Sequence, residues 1–158
     1  VGVLFQLTAP CTVTGIYFVG RLGAGAVDLV LYSVNQADLT AAGSVLATGT
    51  LATLASYGTA TTDTHYAAYF TGQNLTKDTW YRIAIKPGAS TTRRAVVALT
   101  SQAAIAQVVG HSNFYLSTRT NGGTWTNTTT QFTMIGVVIS KFDDGVSTGG
   151  ATAHTFVR

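Results

Sequence analysis

The long helix-forming side chains Glu, Lys and Met are almost absent from this chain, and this absence constrains its fold more than any other feature. The 158 residues include no Glu, three Lys and one Met, and Thr holds many of the polar positions that Glu and Lys usually hold. Thr, Val, Ile and aromatic side chains dominate instead, and these fit the pleated, half-buried surface of a strand. The sequence therefore predicts an all-β protein.

Apolar and polar residues alternate in several segments, which is the pattern of strands with one buried face. The clearest strand is Trp80–Lys86, and it ends at Pro87 because proline cannot donate to a sheet ladder. A second alternating segment, Val27–Tyr32, presents Val30 and Tyr32 on the face opposite the core. In the clearest strand the alternation predicts core side chains at Tyr81, Ile83 and Ile85 and outward side chains at Trp80, Arg82, Ala84 and Lys86.

Turn residues divide the chain into short segments. They recur about every 8–12 residues, a spacing typical of β-sandwiches and barrels. We expect eight to ten strands in an antiparallel β-sandwich of jelly-roll type over residues 1–140. Residues 141–158 differ in composition, because Ser147–Ala153 contains only Gly, Ser, Thr and Ala. This composition predicts an extended C-terminal arm or linker.

The distribution of charged residues and the length of apolar segments indicate which classes of partner to expect. The net charge is +3, and the basic residues are scattered except for Arg93 and Arg94, whereas nucleic-acid binders cluster them on one face. No run of apolar residues reaches the length of a membrane span. Cys11 is the only cysteine, so an intramolecular disulfide framework is excluded. We expect neither nucleic acid nor membrane as a partner.

Residues with catalytic or metal-binding chemistry are few and separated. His65, His111 and His154 lie in no zinc motif, and no nucleophile-elbow sequence is present, so we expect a non-enzymatic protein. Asp143 and Asp144 precede a Gly and resemble a fragment of a calcium loop. Calcium needs about six to eight oxygen ligands, more than two adjacent carboxylates supply. We therefore expect no cofactor, with calcium at Asp143 and Asp144 as the open alternative.

Aromatic residues near loops are the candidate binding groups. Trp80, Tyr115 and Trp125 lie at strand ends or among Thr, Asn and Gly residues. Flat rings bury a large area at low entropic cost, which suits both sugar faces and protein interfaces. In the alternative interpretation, Trp80 covers the edge of the core and Trp125 packs inside a hairpin.

Three segments carry a resemblance to known modules. The stretch Leu75–Pro87, the run Ala9–Phe18 and the strand Asp28–Tyr32 are similar to strands of jelly-roll and carbohydrate-binding-like sandwiches. The Ala-, Thr- and Gly-rich composition and the ending Lys141–Arg158 resemble domains of tailed-phage virion proteins. Such domains decorate capsids or build fibres and tail surfaces, often as trimers. The resemblance implies a virion or extracellular location and a capsid or other virion protein as partner.

The low content of charged residues also favours a structural role in an assembly. Only 9% of the residues are charged, which is poor for the solubility of a monomer but tolerable where subunits bury surface against each other. We therefore expect a non-enzymatic structural module that docks to neighbouring subunits, as a homo-oligomer with a trimer as the first candidate. The alternative is a glycan-binding module that uses exposed Trp and Tyr rings on a surface glycan.

Overall fold

The computed structural model describes residues 1–22, 26–51, 63–87, 94–96, 98–99, 113–120, 122–129 and 132–142. Within these residues all regular structure is β, and every pairing between strands is antiparallel. The strands are β1 (Gly2–Gln6), β2 (Cys11–Leu22), β3 (Val27–Ser33), β4 (Val45–Leu51), β5 (Thr64–Leu75), β6 (Trp80–Pro87), β7 (Arg94–Val96), β8 (Ala98–Leu99), β9 (Asn113–Thr118), β10 (Thr126–Thr128), β11 (Phe132–Thr133) and β12 (Ile135–Phe142).

Two antiparallel sheets pack against each other. The large sheet has six strands in the order β10-β9-β1-β6-β3-β4, and the small sheet has the order β12-β2-β5 with β7 also paired to β2. Strands β8 and β11 form a separate two-stranded pair. The predicted all-β sandwich is confirmed, while the jelly-roll type stays a prediction. The described residues hold twelve strands against the eight to ten expected, and four of the twelve have only two or three residues.

The main core lies between the two sheets. Tyr81, Ile83 and Ile85 of β6 are buried in it, as the alternation predicts. From the small sheet, Ile16 and Phe18 of β2 meet them, both fully buried. Side chains that point inward from the two sheets thus form one continuous apolar layer, which is the arrangement expected for a sandwich.

The first strand is central to the large sheet. Strand β1 lies between β6 and β9, so Leu4 stands opposite Arg82 on one side and Tyr115 on the other. These three residues form one row on the face that points away from the small sheet. The row places residues from distant parts of the chain side by side.

That outer face of the large sheet is covered, which corrects the sequence expectation. Arg82 and Ala84 do alternate away from the core, but they are 0% and 2% exposed. Val30 and Tyr32 are buried with Ala84 and Trp125 in a second apolar cluster. The covering segments are residues 35–42, called here the 35–42 loop, and the turn that leads to Trp125.

Strand β12 ends at Phe142 and includes Lys141, the first residue of the expected arm. Residues 143–158 lie outside the described residues, so the extended arm stays a prediction. Strands β4 and β5 meet where the two sheets adjoin: a Cβ on Gly49 would lie 2.8 Å from the Cβ of Ala68. Glycine at this position lets the two strands approach closely.

Candidate functional site

Trp80 and Tyr115 form one aromatic pair on the outer face of the large sheet. Trp80 begins β6 and Tyr115 lies in β9, with β1 between them. The two rings stack with centroids 5.4 Å apart and an interplanar angle of 21°. Both side chains are half-buried, so part of each remains open to solvent. The structure therefore brings together two of the three predicted binding residues.

Neighbouring polar groups fix the backbone of Trp80. The amide of Gln36 in the 35–42 loop accepts a hydrogen bond from the Trp80 N–H at 2.9 Å and donates one to the Trp80 carbonyl at 3.1 Å. The Gln6 amide donates to the carbonyl of Asp78 at 2.9 Å. Asp78 has a φ of 56° and so forms the tight turn that precedes β6. This bracing gives the indole a defined position.

Trp125 is separate from that pair, and the expectation that it is exposed is wrong. Its side chain is 3% exposed and packs edge-on against Tyr32, with ring centroids 6.2 Å apart. Its backbone N–H donates to the carbonyl of Thr40 at 2.9 Å, which ties it to the 35–42 loop. Burial leaves no open ring face for an outside sugar. The alternative interpretation, a Trp packed beside a hairpin, matches the structure.

Arg82 is buried, although the sequence alternation places it outside the core, and its hydrogen bonds join several segments of this region. Arg82 donates from Nε to the hydroxyl of Ser117 at 2.9 Å, and its Nη atoms donate to the carbonyls of Leu39 and Ala41. The Ser117 hydroxyl in turn donates to Asn127 at 2.7 Å. One side chain therefore joins β6, β9 and the 35–42 loop. Its only signal in the sequence is a cation on a strand with apolar neighbours.

A second arginine shares the ring of Trp125. The guanidinium carbons of Arg82 and Arg119 each lie 4.4 Å from the centroid of that ring. Arg119 also lies 5.5 Å from the ring centroid of Tyr32 and donates to the Tyr32 hydroxyl at 3.2 Å. Burial, with a smaller contribution from the Arg119 charge, lowers the pKa of Arg82 to about 10. Cation–π contacts therefore replace the usual carboxylate partners here.

The outer face of the small sheet is the second candidate surface. Tyr69 of β5 is 68% exposed and stands opposite Gly15 of β2, and a Cβ on Gly15 would lie 2.9 Å from its ring. In the next row, a Cβ on Gly136 would lie 2.5 Å from ring atoms of Tyr17. Two tyrosine rings thus lie against glycines on one sheet surface. Burial raises the pKa of the Tyr17 hydroxyl.

This tyrosine face was not among the predicted sites. The signal that could have found it is the alternation within β5, where Tyr69 falls on the face opposite Tyr66 and Ala68 of the core. The sequence does not show which glycines stand opposite the tyrosines, because that depends on the register between β2, β5 and β12. Register across strands distant in sequence is set by the whole sheet.

Groups with catalytic potential are dispersed in the described part of the chain. No three His, Cys, Asp or Glu side chains there converge on a possible metal position. Asp143 and Asp144 lie outside the described residues, so the calcium alternative stays a prediction. Cys11 lines a shallow pocket with Asn74 and Lys141, and burial raises the pKa of its thiol to about 11. A thiol with so high a pKa is a poor nucleophile at neutral pH.

Comparisons with known proteins leave the family open. The chain matches no protein-family model, no curated protein and no solved structure. Among the described residues, no helix has the length and hydropathy of a membrane span. The resemblance to phage virion modules therefore stays a prediction, and the side-chain geometry carries the functional interpretation.

Proposed function

We propose that this chain is a non-enzymatic structural module that docks to neighbouring copies of itself in a virion or comparable extracellular assembly. The observation that carries this proposal is Tyr69, a large aromatic side chain that is 68% exposed and lies midway along β5, the outer strand of the small sheet. Its ring lies against Gly15, so it is held in place before any partner arrives. A prepositioned ring loses little conformational entropy on docking.

The surroundings of Tyr69 suit contact with another protein surface. Its row on the outer face contains Gly15 and Val138, and the adjacent row contains Ala67, Tyr17 and Gly136. None of these side chains is charged, so a neighbouring copy would meet no like charge in the centre of the contact. Aromatic enrichment and charge depletion are the features of interface cores. Scarce charge in the whole chain, 9% of residues, supports the same role.

The two outer faces differ in how far the chain itself covers their apolar side chains, although Val45 and Leu46 on β4, the end strand of the large sheet, are also exposed. On the large sheet, Val30 and Tyr32, which the alternation places on the face opposite the core, are buried with Trp125, and Trp125 is tied to the 35–42 loop. On the small sheet, Tyr69 is exposed. We therefore place the docking surface on the small sheet.

Sedimentation velocity over a range of concentrations tests this proposal. The wild-type chain should form a discrete oligomer, for which a trimer is the first candidate. Tyr69→Asp should shift it to monomer, because docking would then bury an unpaired carboxylate. Thr48→Asp is the matched control, since Thr48 is exposed on β4 of the large sheet and should not affect assembly. A wild-type chain that stays monomeric at every concentration would contradict the proposal.

Glycan binding at Trp80 and Tyr115 is the second candidate function. It is favoured by their stacking at 5.4 Å and by their partial exposure. Sugar faces stack on such rings. A glycan array should then show binding that Tyr115→Ala abolishes and Tyr69→Ala leaves intact. If Tyr69→Ala alone reduced binding, the sugar site would lie on the other sheet.

A further inference from the structure

A cluster of two arginines and two aromatic side chains, called here the arginine–tryptophan cluster, carries positive charge, and no carboxylate of the described residues pairs with it. It consists of Arg82, Arg119, Trp125 and Tyr32. Each guanidinium carbon lies 4.4 Å from the centroid of the Trp125 ring. Arg82 is 0% exposed, and its hydrogen-bond acceptors are a hydroxyl and backbone carbonyls. A buried charge without a counter-charge is costly.

The chain has little means of neutralising this charge by itself. It contains no Glu and six Asp. Every Asp in the described residues has another partner: Asp28 accepts from Thr50, Asp38 accepts from Thr40, Asp63 pairs with Arg21 and Asp78 pairs with Lys77. Neither Arg82 nor Arg119 is in an ion pair in that part of the chain. Among the described residues, therefore, no carboxylate offsets the charge of these two arginines.

Hydrogen-bond donors also exceed acceptors in the cluster. To the described residues Arg119 makes one hydrogen bond, from Nη2 to the Tyr32 hydroxyl at 3.2 Å, although a guanidinium carries several more N–H donors. The indole N–H of Trp125 is buried and has no acceptor in the described structure. Unpaired donors beside two cations are the chemistry that recognises an oxyanion.

The solvent exposure of the two arginine side chains determines where such an anion can reach the cluster. Arg82 is sealed beneath the 35–42 loop, whereas Arg119 is half-buried and so reaches solvent on one side. An anion that binds the open side of Arg119 also feels the positive charge of Arg82 across the Trp125 ring. The low local dielectric strengthens that attraction.

We propose that the arginine–tryptophan cluster is a binding site for an oxyanion supplied from outside the chain, with Arg119 as the residue that contacts it. The ligand carries a carboxylate, sulfate or phosphate group, which the planar fork of Arg119 can hold through paired hydrogen bonds. This site lies on the large sheet and does not depend on the Tyr69 docking surface.

Nuclear magnetic resonance of the indole N–H groups tests the site directly. The chain has two Trp, so two indole signals are expected, and Trp80→Phe assigns them. Sodium sulfate, phosphate and acetate are titrated separately at an ionic strength held constant with sodium chloride. We expect a saturable shift of the Trp125 signal and a smaller or absent shift of the Trp80 signal. The anion with the strongest binding distinguishes a tetrahedral oxyanion from a carboxylate.

Variants of the arginines complete the test. Arg119→Gln should weaken binding at least about tenfold, since it removes the charge and the fork, and Arg119→Lys should weaken it less. Arg21→Gln is the matched control, because Arg21 is exposed and pairs with Asp63 elsewhere. Shifts that grow linearly with every salt, or that survive Arg119→Gln, would overturn the proposal. If Arg119→Gln does not fold, thermal unfolding with and without each anion replaces the titration. The anion should then stabilise the wild type specifically and saturably, and should stabilise Arg119→Lys less. Equal stabilisation of the wild type and Arg119→Lys would overturn the proposal.

Discussion

The guanidinium carbon of Arg82 lies 4.4 Å from the centroid of the Trp125 ring, on the face of the large sheet that points away from the core. This contact joins the middle of β6 to the segment just before β10. It explains why both side chains are almost fully buried although neither belongs to the layer between the sheets. Around Arg82 the large sheet is consequently covered on both faces.

Replacing Arg82 should destabilise the fold strongly. Arg82→Met leaves the Ser117 hydroxyl and the Ala41 carbonyl without their donor, and leaves the Leu39 carbonyl with Asn127 alone, so we expect a loss of about 2–4 kcal/mol in the free energy of unfolding. Urea unfolding measures this. Arg21→Met, which breaks only the exposed pair with Asp63, should cost less than about 1 kcal/mol. Equal stabilities for the two variants would show that Arg82 does not hold the 35–42 loop.

The two tryptophans should differ in their access to a fluorescence quencher. Trp125 is 3% exposed, whereas Trp80 is half-buried at the surface. In Trp80→Phe the remaining emission comes from Trp125, and acrylamide should quench it several times less than it quenches the wild type. In the matched variant Trp125→Phe the remaining emission comes from Trp80, and acrylamide should still quench it. Strong quenching of Trp80→Phe would mean that the cover over the large sheet opens in solution.

The sequence predicts the sandwich and its core face well, because those depend on local alternation. Tyr81, Ile83 and Ile85 are buried as expected, since every second residue of β6 must face one way. The same alternation places Arg82 outward, and this is geometrically right. It cannot show that the 35–42 loop returns over that face, because the loop's contacts with Arg82 join residues about 40 positions apart.

For the candidate sites, too, local alternation predicts some features and tertiary contacts decide the others. Trp80 and Tyr115 were predicted separately, and their stacking depends on β1 lying between their strands. Trp125 stands among Gly, Thr and Asn, a composition that suggests an exposed loop, yet two arginine side chains cover it. The sequence gives residue types and local periodicity, whereas the covering of a sheet face depends on tertiary contacts.

Adding a methyl group to Gly136 should disturb the tyrosine face. Its Cβ would lie 2.5 Å from ring atoms of Tyr17, so the ring must move, and we expect Gly136→Ala to cost about 1–3 kcal/mol. Tyr17→Ala removes the obstacle. The double variant should therefore lose less stability than the sum of the two single variants, a coupling that urea unfolding of all four proteins measures. Strict additivity would contradict the contact between this glycine and the tyrosine.

The stability of the protein should fall in alkaline solution through Cys11. Burial raises the pKa of this thiol from 9.0 to about 11 in the folded chain, so between these values the unfolded chain releases the proton while the folded chain keeps it. The protonated, buried thiol thus contributes about 2–3 kcal/mol to the free energy of unfolding. This contribution is complete below pH 9 and is lost as the pH rises through about 11. The pH dependence that Arg82 contributes has the opposite sign, because burial lowers its folded pKa to about 10, below the ordinary value of a guanidinium. Comparison of the wild type with Cys11→Ala at each pH cancels Arg82 and all other groups, so the difference in their unfolding free energies should shrink between pH 8 and pH 11. A difference that stays constant over this range would show that Cys11 is as exposed in the folded chain as in the unfolded one.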